Sequence, residues 1–260
     1  MFEFYKYQGT GNDFILIDEW RGPKLPQDDP DLIARLCHRR FGIGADGLML
    51  LRPHDQWDFE MVYFNADGQA SSMCGNGGRC IAAFAHRLGY VDRHCQFLAT
   101  DGPHRAEVND DGVRLEMRAV KDYQRQPTFA FLNTGSPHYV EFVPNVDTCA
   151  VVKNGRRIRH DPRFAPGGTN VNFVERRDEH LYVATYERGV EDETFSCGTG
   201  VTAAALADHL DSGSADGIHR RTVVTKGGIL GVQFTFSAGE FKNIWLSGPA
   251  VPVFHGVFAS

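Results

Sequence analysis

At residues 71–80 the chain reads SSMCGNGGRC and runs directly into the apolar, alanine-bearing segment IAAFAHRLG. Three of the four residues after Cys74 are glycine, an unusual way to enter a helix. The pattern returns at residues 195–210, FSCGTGVTAAALADHL, with Cys197 in the place of Cys74. Both segments read as helices whose first turn is glycine-rich and is preceded by a thiol. The first is expected to end near Gly89, where a left-handed glycine closes a helix.

The echo extends beyond the cysteines. Thr10-Gly11-Asn12 in GTGNDFILI matches Thr134-Gly135-Ser136 in NTGSPHYVEF, and Asp46 in GIGADGLML matches Asn170 in GGTNVNFVE, both at an interval of 124 residues. Cys74 and Cys197 are 123 apart. Gly-rich turns recur in many proteins; the shared register of three landmarks is what argues for two structurally equivalent halves.

Between these landmarks strands and helices alternate without a low-complexity linker. FILID, GLMLL, DFEMVYF, VRLEM, HYVEFV, VNFVE and LYVATY read as strands. DDPDLIARLCHRRFG reads as a helix with Asp29 as its cap and Pro30 in its first turn. Leu32, Ile33 and Leu36 form its apolar stripe, and Gly42 is expected to close it.

The chain has 260 residues, 42% hydrophobic and 23% charged, as in ordinary globular proteins. A net charge of −6 argues against nucleic acid as a partner, because phosphate neutralisation dominates that affinity. The N-terminus lacks the charged-then-apolar layout of a signal peptide, and no segment is apolar for about 18 residues, so a cytoplasmic, membrane-free protein is expected. Six cysteines are too sparse for a secreted disulfide framework, and without a C-x-x-C pair no metal site is expected. GIGADG follows a helix and precedes a strand, the reverse of the dinucleotide-binding order. No nucleotide or other cofactor is expected.

A helix N-terminus offers backbone N–H groups without intrahelical partners and the positive end of the dipole. It binds carboxylates, and it lowers the pKa of a thiol placed there. Two such ends facing one another would cradle a carboxylate, with one thiol on each side of the adjacent carbon. That arrangement removes a proton from one face and delivers one to the other. Cys74 and Cys197 are therefore the candidate base and acid. Cys37, Cys80, Cys95 and Cys149 read as small buried hydrophobes. His138, after GSP in the matching loop, is singled out among 11 histidines.

The stretches YQGTGNDFILID, YFNADGQASSMCGNGGRC, GSPHYV, GTNVNFV, TYERGVEDETFSCGTG and GPAVPVF resemble, in order, the motifs of the diaminopimelate epimerase family, from Gln8 to about Phe254. The resemblance implies an α/β fold of the α+β type. Two pseudo-symmetric domains would each wrap a curved, mostly antiparallel sheet around a central helix, with the active site between them. It places the first half at residues 1–118, with 249–260 returning to it, and the second at 119–248. It implies interconversion of LL- and meso-diaminopimelate without pyridoxal phosphate, serving lysine and cell-wall precursor synthesis. A homodimer is compatible with it. Carried over by position, Cys74 and Cys197 are the acid–base thiols. Gly75, Asn76, Gly198 and Thr199 form the carboxylate cradle, and Asn12, Asn65, Asn170, Glu187 and Arg188 hold the distal end. Two departures stand out: Ser136 replaces an asparagine common in relatives, and Gly47 a glutamine found in some.

Three alternatives stay open on residues alone: a proline-type racemase, a thiol redox switch using Cys74 and Cys197, and a binding module without chemistry. The asparagines and the Glu187-Arg188 pair count against the first two.

Overall fold

The computed structural model describes residues 1–26, 29–71, 73–213 and 215–259. It divides into two compact units, Met1–Leu115 with Gly248–Ser260, and Glu116–Ser247.

In the first unit, β1 (Phe2–Gly9) pairs antiparallel with β2 (Asn12–Asp18), and the C-terminal strand Val251–Phe258 pairs with the other edge of β1. After α1 (Pro30–Cys37), β3 (Gly47–Arg52) lies parallel to β2, and β4 (Phe59–Asn65) runs antiparallel to β3. Helix α2 (Gly75–Arg87) follows. Then come β5 (His94–Ala99), parallel to β4, and the antiparallel β6 (Gly102–Asn109) and β7 (Gly112–Met117).

The second unit repeats this plan. Strands β8 (Tyr123–Arg125), β9 (Ala130–Asn133) and β10 (Pro137–Phe142) pair antiparallel in turn. Helix α3 (Val151–Arg159) precedes β11 (Asn170–Arg177), which is parallel to β10, and β12 (His180–Glu187) is antiparallel to β11. A short strand β13 (Asp192–Thr194) leads to α4 (Gly198–Ser212). Strand β14 (Gly217–Thr225) lies parallel to β12, and β15 (Gly228–Ser237) and β16 (Glu240–Gly248) complete the antiparallel set. Each unit thus has two parallel pairings at equivalent places in a mostly antiparallel sheet. The repeat glimpsed in three short motifs is a repeat of the whole topology.

Each sheet curves around one helix. α2 packs on β1, β2, β3 and β6; α4 packs on β9, β10, β11, β12, β14 and β15. Cys80, Ile81, Ala82, Phe84 and Ala85 of α2 are buried, as are Val201 and Ala203–Ala207 of α4. Alanine suits α4 because a helix surrounded by strands has little room for long side chains. Burying these faces supplies about 25 cal/mol for each Å² of apolar surface removed from water. Among the described residues no helix is long and apolar enough to cross a membrane.

Each segment read as a strand lies in one, but β1, β5, β6, β8, β9, β13–β16 and the C-terminal strand were not anticipated. Many of these carry charged or histidine side chains, and β14 (GIHRRTVVT) gives a weak apolar signal. The left-handed glycine expected at the end of α2 is present: α2 ends at Arg87 and Gly89 has φ +76°.

The α1 reading needs a correction. Asp29 caps it as expected, with Oδ1 accepting from the Leu32 N–H at 2.9 Å, while Asp28 lies outside the described residues. The helix stops at Cys37 and does not run on to Gly42. His38 turns extended, and the chain folds back so that the Ile43 and Gly44 N–H groups take the Leu36 carbonyl at 2.9 and 3.0 Å. Gly42 is glycine for lack of space: a Cβ there would sit 2.0 Å from the Arg35 carbonyl oxygen.

These two glycines give different expectations. Gly42→Ala must move backbone, and should cost about 1–3 kcal/mol. Gly89→Ala meets no atom within 4 Å and pays only for its left-handed φ, about 1 kcal/mol. Chemical denaturation of both variants should rank Gly42→Ala as the less stable. The reverse order would show that the end of α1 yields readily.

Candidate active site

The two cysteine-led helix entrances are built differently. Cys74 is the N-cap of α2, in extended backbone, and its Sγ accepts from the Gly77 N–H at 3.1 Å. A thiol here fills the place usually taken by a serine or aspartate oxygen. Cys197 is the N-cap of α4, and its Sγ lies 3.4 Å from the Thr199 hydroxyl. Gly200 leaves room for Asn172 beside this turn, because a Cβ on it would lie 2.4 Å from Asn172 Oδ1.

Around Cys74 the amides are oriented in sequence. Arg79 is wholly buried and donates to Asn76 Oδ1 at 3.0 Å, to the Gly75 carbonyl at 3.1 Å and to Thr10 Oγ1 at 3.4 Å. That directs Asn76 Nδ2 onto Asn12 Oδ1 at 3.3 Å, while Asn12 Nδ2 donates to Asp46 Oδ2 at 2.6 Å. Asn12 Oδ1 therefore also faces Cys74 Sγ, 3.9 Å away, as an acceptor for S–H. Burial lowers the pKa of Arg79, and among the described residues no carboxylate pairs with it. The base of this chain is charged: Arg39 bridges Asp13 and Asp46 at 2.7 and 2.6 Å, and Lys6 pairs with Asp13 at 2.7 Å. Burial alone would raise the Asp13 pKa, but hydrogen bonds from Arg39 and Lys6 outweigh it and hold Asp13 at about 2. Asn65, at the end of β4, bonds through its backbone to Gln69 and Gly68.

The Cys197 side is organised by a histidine. Thr185 Oγ1 donates to Asn172 Oδ1 at 2.9 Å, which fixes the Asn172 amide so that Nδ2 donates to His138 Nδ1 at 3.1 Å and to the Tyr139 carbonyl at 2.9 Å. His138 Nδ1 is thus an acceptor, and its proton sits on Nε2. Nε2 meets Thr199 Oγ1 at 2.9 Å and Ser136 Oγ at 3.0 Å. The donor chain runs from Asn172 through His138 to Thr199, leaving the Thr199 hydroxyl proton for Cys197 Sγ. Burial, aided by the Arg188 cation, holds His138 neutral with its pKa down at about 3.

Ser136, which replaces an asparagine common in relatives, stands inside this network, and Asn170 Nδ2 donates to it at 3.1 Å. Asn170 also donates to the Pro137 carbonyl at 2.9 Å and accepts from the Arg188 N–H at 2.9 Å, so its amide is largely committed within the protein. Glu187 and Arg188 are half-buried at the end of β12. The Arg188 guanidinium has no carboxylate partner among the described residues. Gly75, Asn76, Gly198 and Thr199 occupy the first turns of α2 and α4.

The structure gathers Asn12, Gly75 and Asn76 around Cys74 in one unit, and Ser136, His138 and Thr199 around Cys197 in the other, with Asn170 and the Arg188 backbone bonded to the second set. Sequence reasoning missed Arg79, Asp46, Asn172 and Thr185 as organisers. Asp46 was visible only as a repeat landmark, while Arg79, Asn172 and Thr185 lie inside the quoted motif stretches without having been given a role. The remaining thiols are unlike the two caps. Cys37, Cys80 and Cys95 are buried, and burial pushes each up to about 12. Cys149 is half-buried and also raised by burial.

The His138 environment carries a pH signature. Unfolded histidine takes a proton near pH 6.5 and the folded one only near 3, so the unfolded chain binds more protons in between. This contribution to stability is complete above about pH 6.5 and declines as pH falls toward 3. Denaturation at pH 7.5 and 5 should show the loss, and His138→Gln should flatten it. An equally steep slope in the variant would place the titrating group elsewhere.

Comparison with known proteins gives a consistent picture. A sequence model of the family described as diaminopimelate epimerase matches residues 4–121 and 130–251. The chain is 46% identical to a diaminopimelate epimerase of Flavobacterium psychrophilum over 254 residues, covering 97% of this chain and 98% of that one. It is 42% identical to one of Chlorobaculum tepidum over 257 residues, covering 95% and 98%. Among solved structures, a phenazine biosynthesis protein of the PhzF family from Bacillus anthracis superposes with TM-score 0.77 at 15% identity, covering 99% of each chain. A hydroxyproline epimerase from Agrobacterium vitis gives 0.66 at 16%, covering 98% of this chain and 91% of that one.

Proposed function

From the premise that the chain belongs to the diaminopimelate epimerase family, we propose that it is the isomerase interconverting LL- and meso-diaminopimelate, with Cys74 and Cys197 as its two acid–base groups. The observation that carries the mechanism is the pair of cysteine N-caps. Both sulfurs stand at the positive end of a buried helix, where a thiolate is stabilised and a carboxylate is attracted. In this reading the first-turn N–H groups of Gly75, Asn76, Gly198 and Thr199 hold the carboxylate next to the reacting carbon. One thiolate removes the α-proton and the opposite thiol returns one to the other face. Inversion follows because departure and delivery occur on opposite sides.

The surroundings of the sulfurs support a division of labour at rest. Cys74 faces an acceptor oxygen on Asn12, which suits S–H. Cys197 faces the Thr199 hydroxyl, and the Asn172–His138–Thr199 chain directs that proton toward sulfur, which suits a thiolate. His138 acts through Thr199 and stays neutral, so it orients a donor and does not itself exchange the substrate proton.

Arg188 holds the distal carboxylate in this reading, its guanidinium matching two oxygens at once. Glu187 accepts from the distal ammonium, and Asn12 and Asn65 add uncharged polar contacts. Asn170 contributes by fixing Ser136 and the Arg188 backbone. A proline-type substrate has no second amino-acid end to engage these groups. Lysine and cell-wall precursor synthesis in the cytosol is the corresponding setting.

The test is serine substitution. Cys74→Ser and Cys197→Ser keep the shape of the cap but replace a thiol by a far weaker acid, and each should lower epimerisation of diaminopimelate by about 10²–10⁴-fold. The double variant should lose little more than either single one, as expected for groups that act as a unit. Full activity in either single variant would refute the assignment of one thiol to each face.

A further inference from the structure

Arg79 is fully buried. Among the described residues its hydrogen-bond partners are all neutral oxygens: Asn76 Oδ1 at 3.0 Å, the Gly75 carbonyl at 3.1 Å, Thr10 Oγ1 at 3.4 Å and the Pro249 carbonyl at 3.5 Å. An arginine keeps its charge inside a protein, and a charge buried without a counter-ion is destabilising. This one also stands at the unfavourable end of its helix. The guanidinium reaches back to the first turn of α2, where the dipole is already positive and favours negative charge. A neutral amide could donate to the same oxygens, so hydrogen bonding alone does not account for an arginine here.

Burial works against the charge and lowers the Arg79 pKa, and the groups that favour the charge are Cys80 and Cys74. Burial keeps Cys80 neutral, pushed up to about 12. Cys74, at the cap, is the one of the two able to become an anion near neutral pH. The other charges on the strands beside α2 are matched among themselves: Lys6 and Arg39 bond Asp13 and Asp46, and His104 pairs with Asp101.

We propose that Arg79 is a positioning residue whose fixed positive charge, brought to the first turn of α2, compensates the thiolate formed each time Cys74 gives up its proton. This deepens the function proposed above and rests on it, since there Cys74 is the acid in one direction and the base in the other. At rest the S–H faces Asn12 Oδ1, and Arg79 makes that proton easier to release.

The test reads the Cys74 thiol itself, in a Cys197→Ser background that removes the second sulfur. The rate of alkylation by iodoacetamide follows the thiolate, and mass spectrometry of the Cys74 peptide between about pH 6 and 10 gives its inflection. Arg79→Gln should raise that inflection by about 1 pH unit, and Arg79→Lys, which keeps the charge, should bring it back. Cys80, buried beside Arg79, should stay unreacted in both. A Cys74 inflection unmoved in Arg79→Gln, moved equally in Arg79→Lys, or moved only together with exposure of Cys80 would overturn the proposal. If Arg79→Gln fails to fold, the background protein decides: an inflection below about 8.5 upholds the proposal, and one at or above it overturns it. Turnover plays no part in this measurement. A wild-type protein that does not epimerise diaminopimelate would remove the proposed function, whereas an unmoved inflection removes only the role of Arg79.

Discussion

A cysteine at the N-cap of a buried helix is the constraint on which the rest of this structure depends. Cys74 and Cys197 sit where backbone N–H groups converge, at the N-caps of α2 and α4. Each unit meets that demand in the same way, with strands packed around a helix that begins at the thiol. The residues after each thiol must be small for the same reason. Gly77 brings its N–H within 3.1 Å of Cys74 Sγ, and Gly200 makes room for Asn172 Oδ1 beside the Cys197 turn. In the proposed mechanism, the odd composition of the two helix entrances is the chemical requirement of the site written into the chain.

The two units share topology but not chemistry, and the difference lies in the side chains one layer away from the sulfurs. On one side a buried arginine orients two asparagines so that an acceptor faces the thiol. On the other a neutral histidine, fixed by Asn172, orients a hydroxyl so that a donor faces it. In the mechanism proposed above, a duplicated scaffold made asymmetric in this way would hold one sulfur protonated and the other not. An epimerase needs that arrangement before substrate arrives, because acid and base must be in place together.

Much of the architecture was legible in the sequence, and what was missed has physical reasons. Glycine-then-alanine runs after a cysteine mark a helix start whatever surrounds it, and so both central helices could be read. The repeat was visible because turns such as Thr10-Gly11-Asn12 and Thr134-Gly135-Ser136 tolerate few residue types. The extent of α1 was misjudged because Gly42 looks like a helix stop, whereas its role is to let the chain fold back onto the last carbonyls. Strands such as β14, with Arg220 and Arg221 adjacent and therefore on opposite faces, gave little periodic signal. Arg79 and Asn172 lie inside the quoted motifs but were given no role, because what they do arises from register and packing.

The central claim is that two different groups handle the proton on the two faces of one carbon. Isotope placement early in the reaction tests it most directly. LL-Diaminopimelate is incubated with the enzyme in D2O, and at low conversion substrate and product are separated and weighed by mass spectrometry. Two thiols acting from opposite faces predict one deuterium in the meso product, delivered by a group equilibrated with solvent, while the remaining LL substrate stays unlabelled. A meso product that retains the original protium would mean that a single group removes and returns the same proton, and would contradict the account.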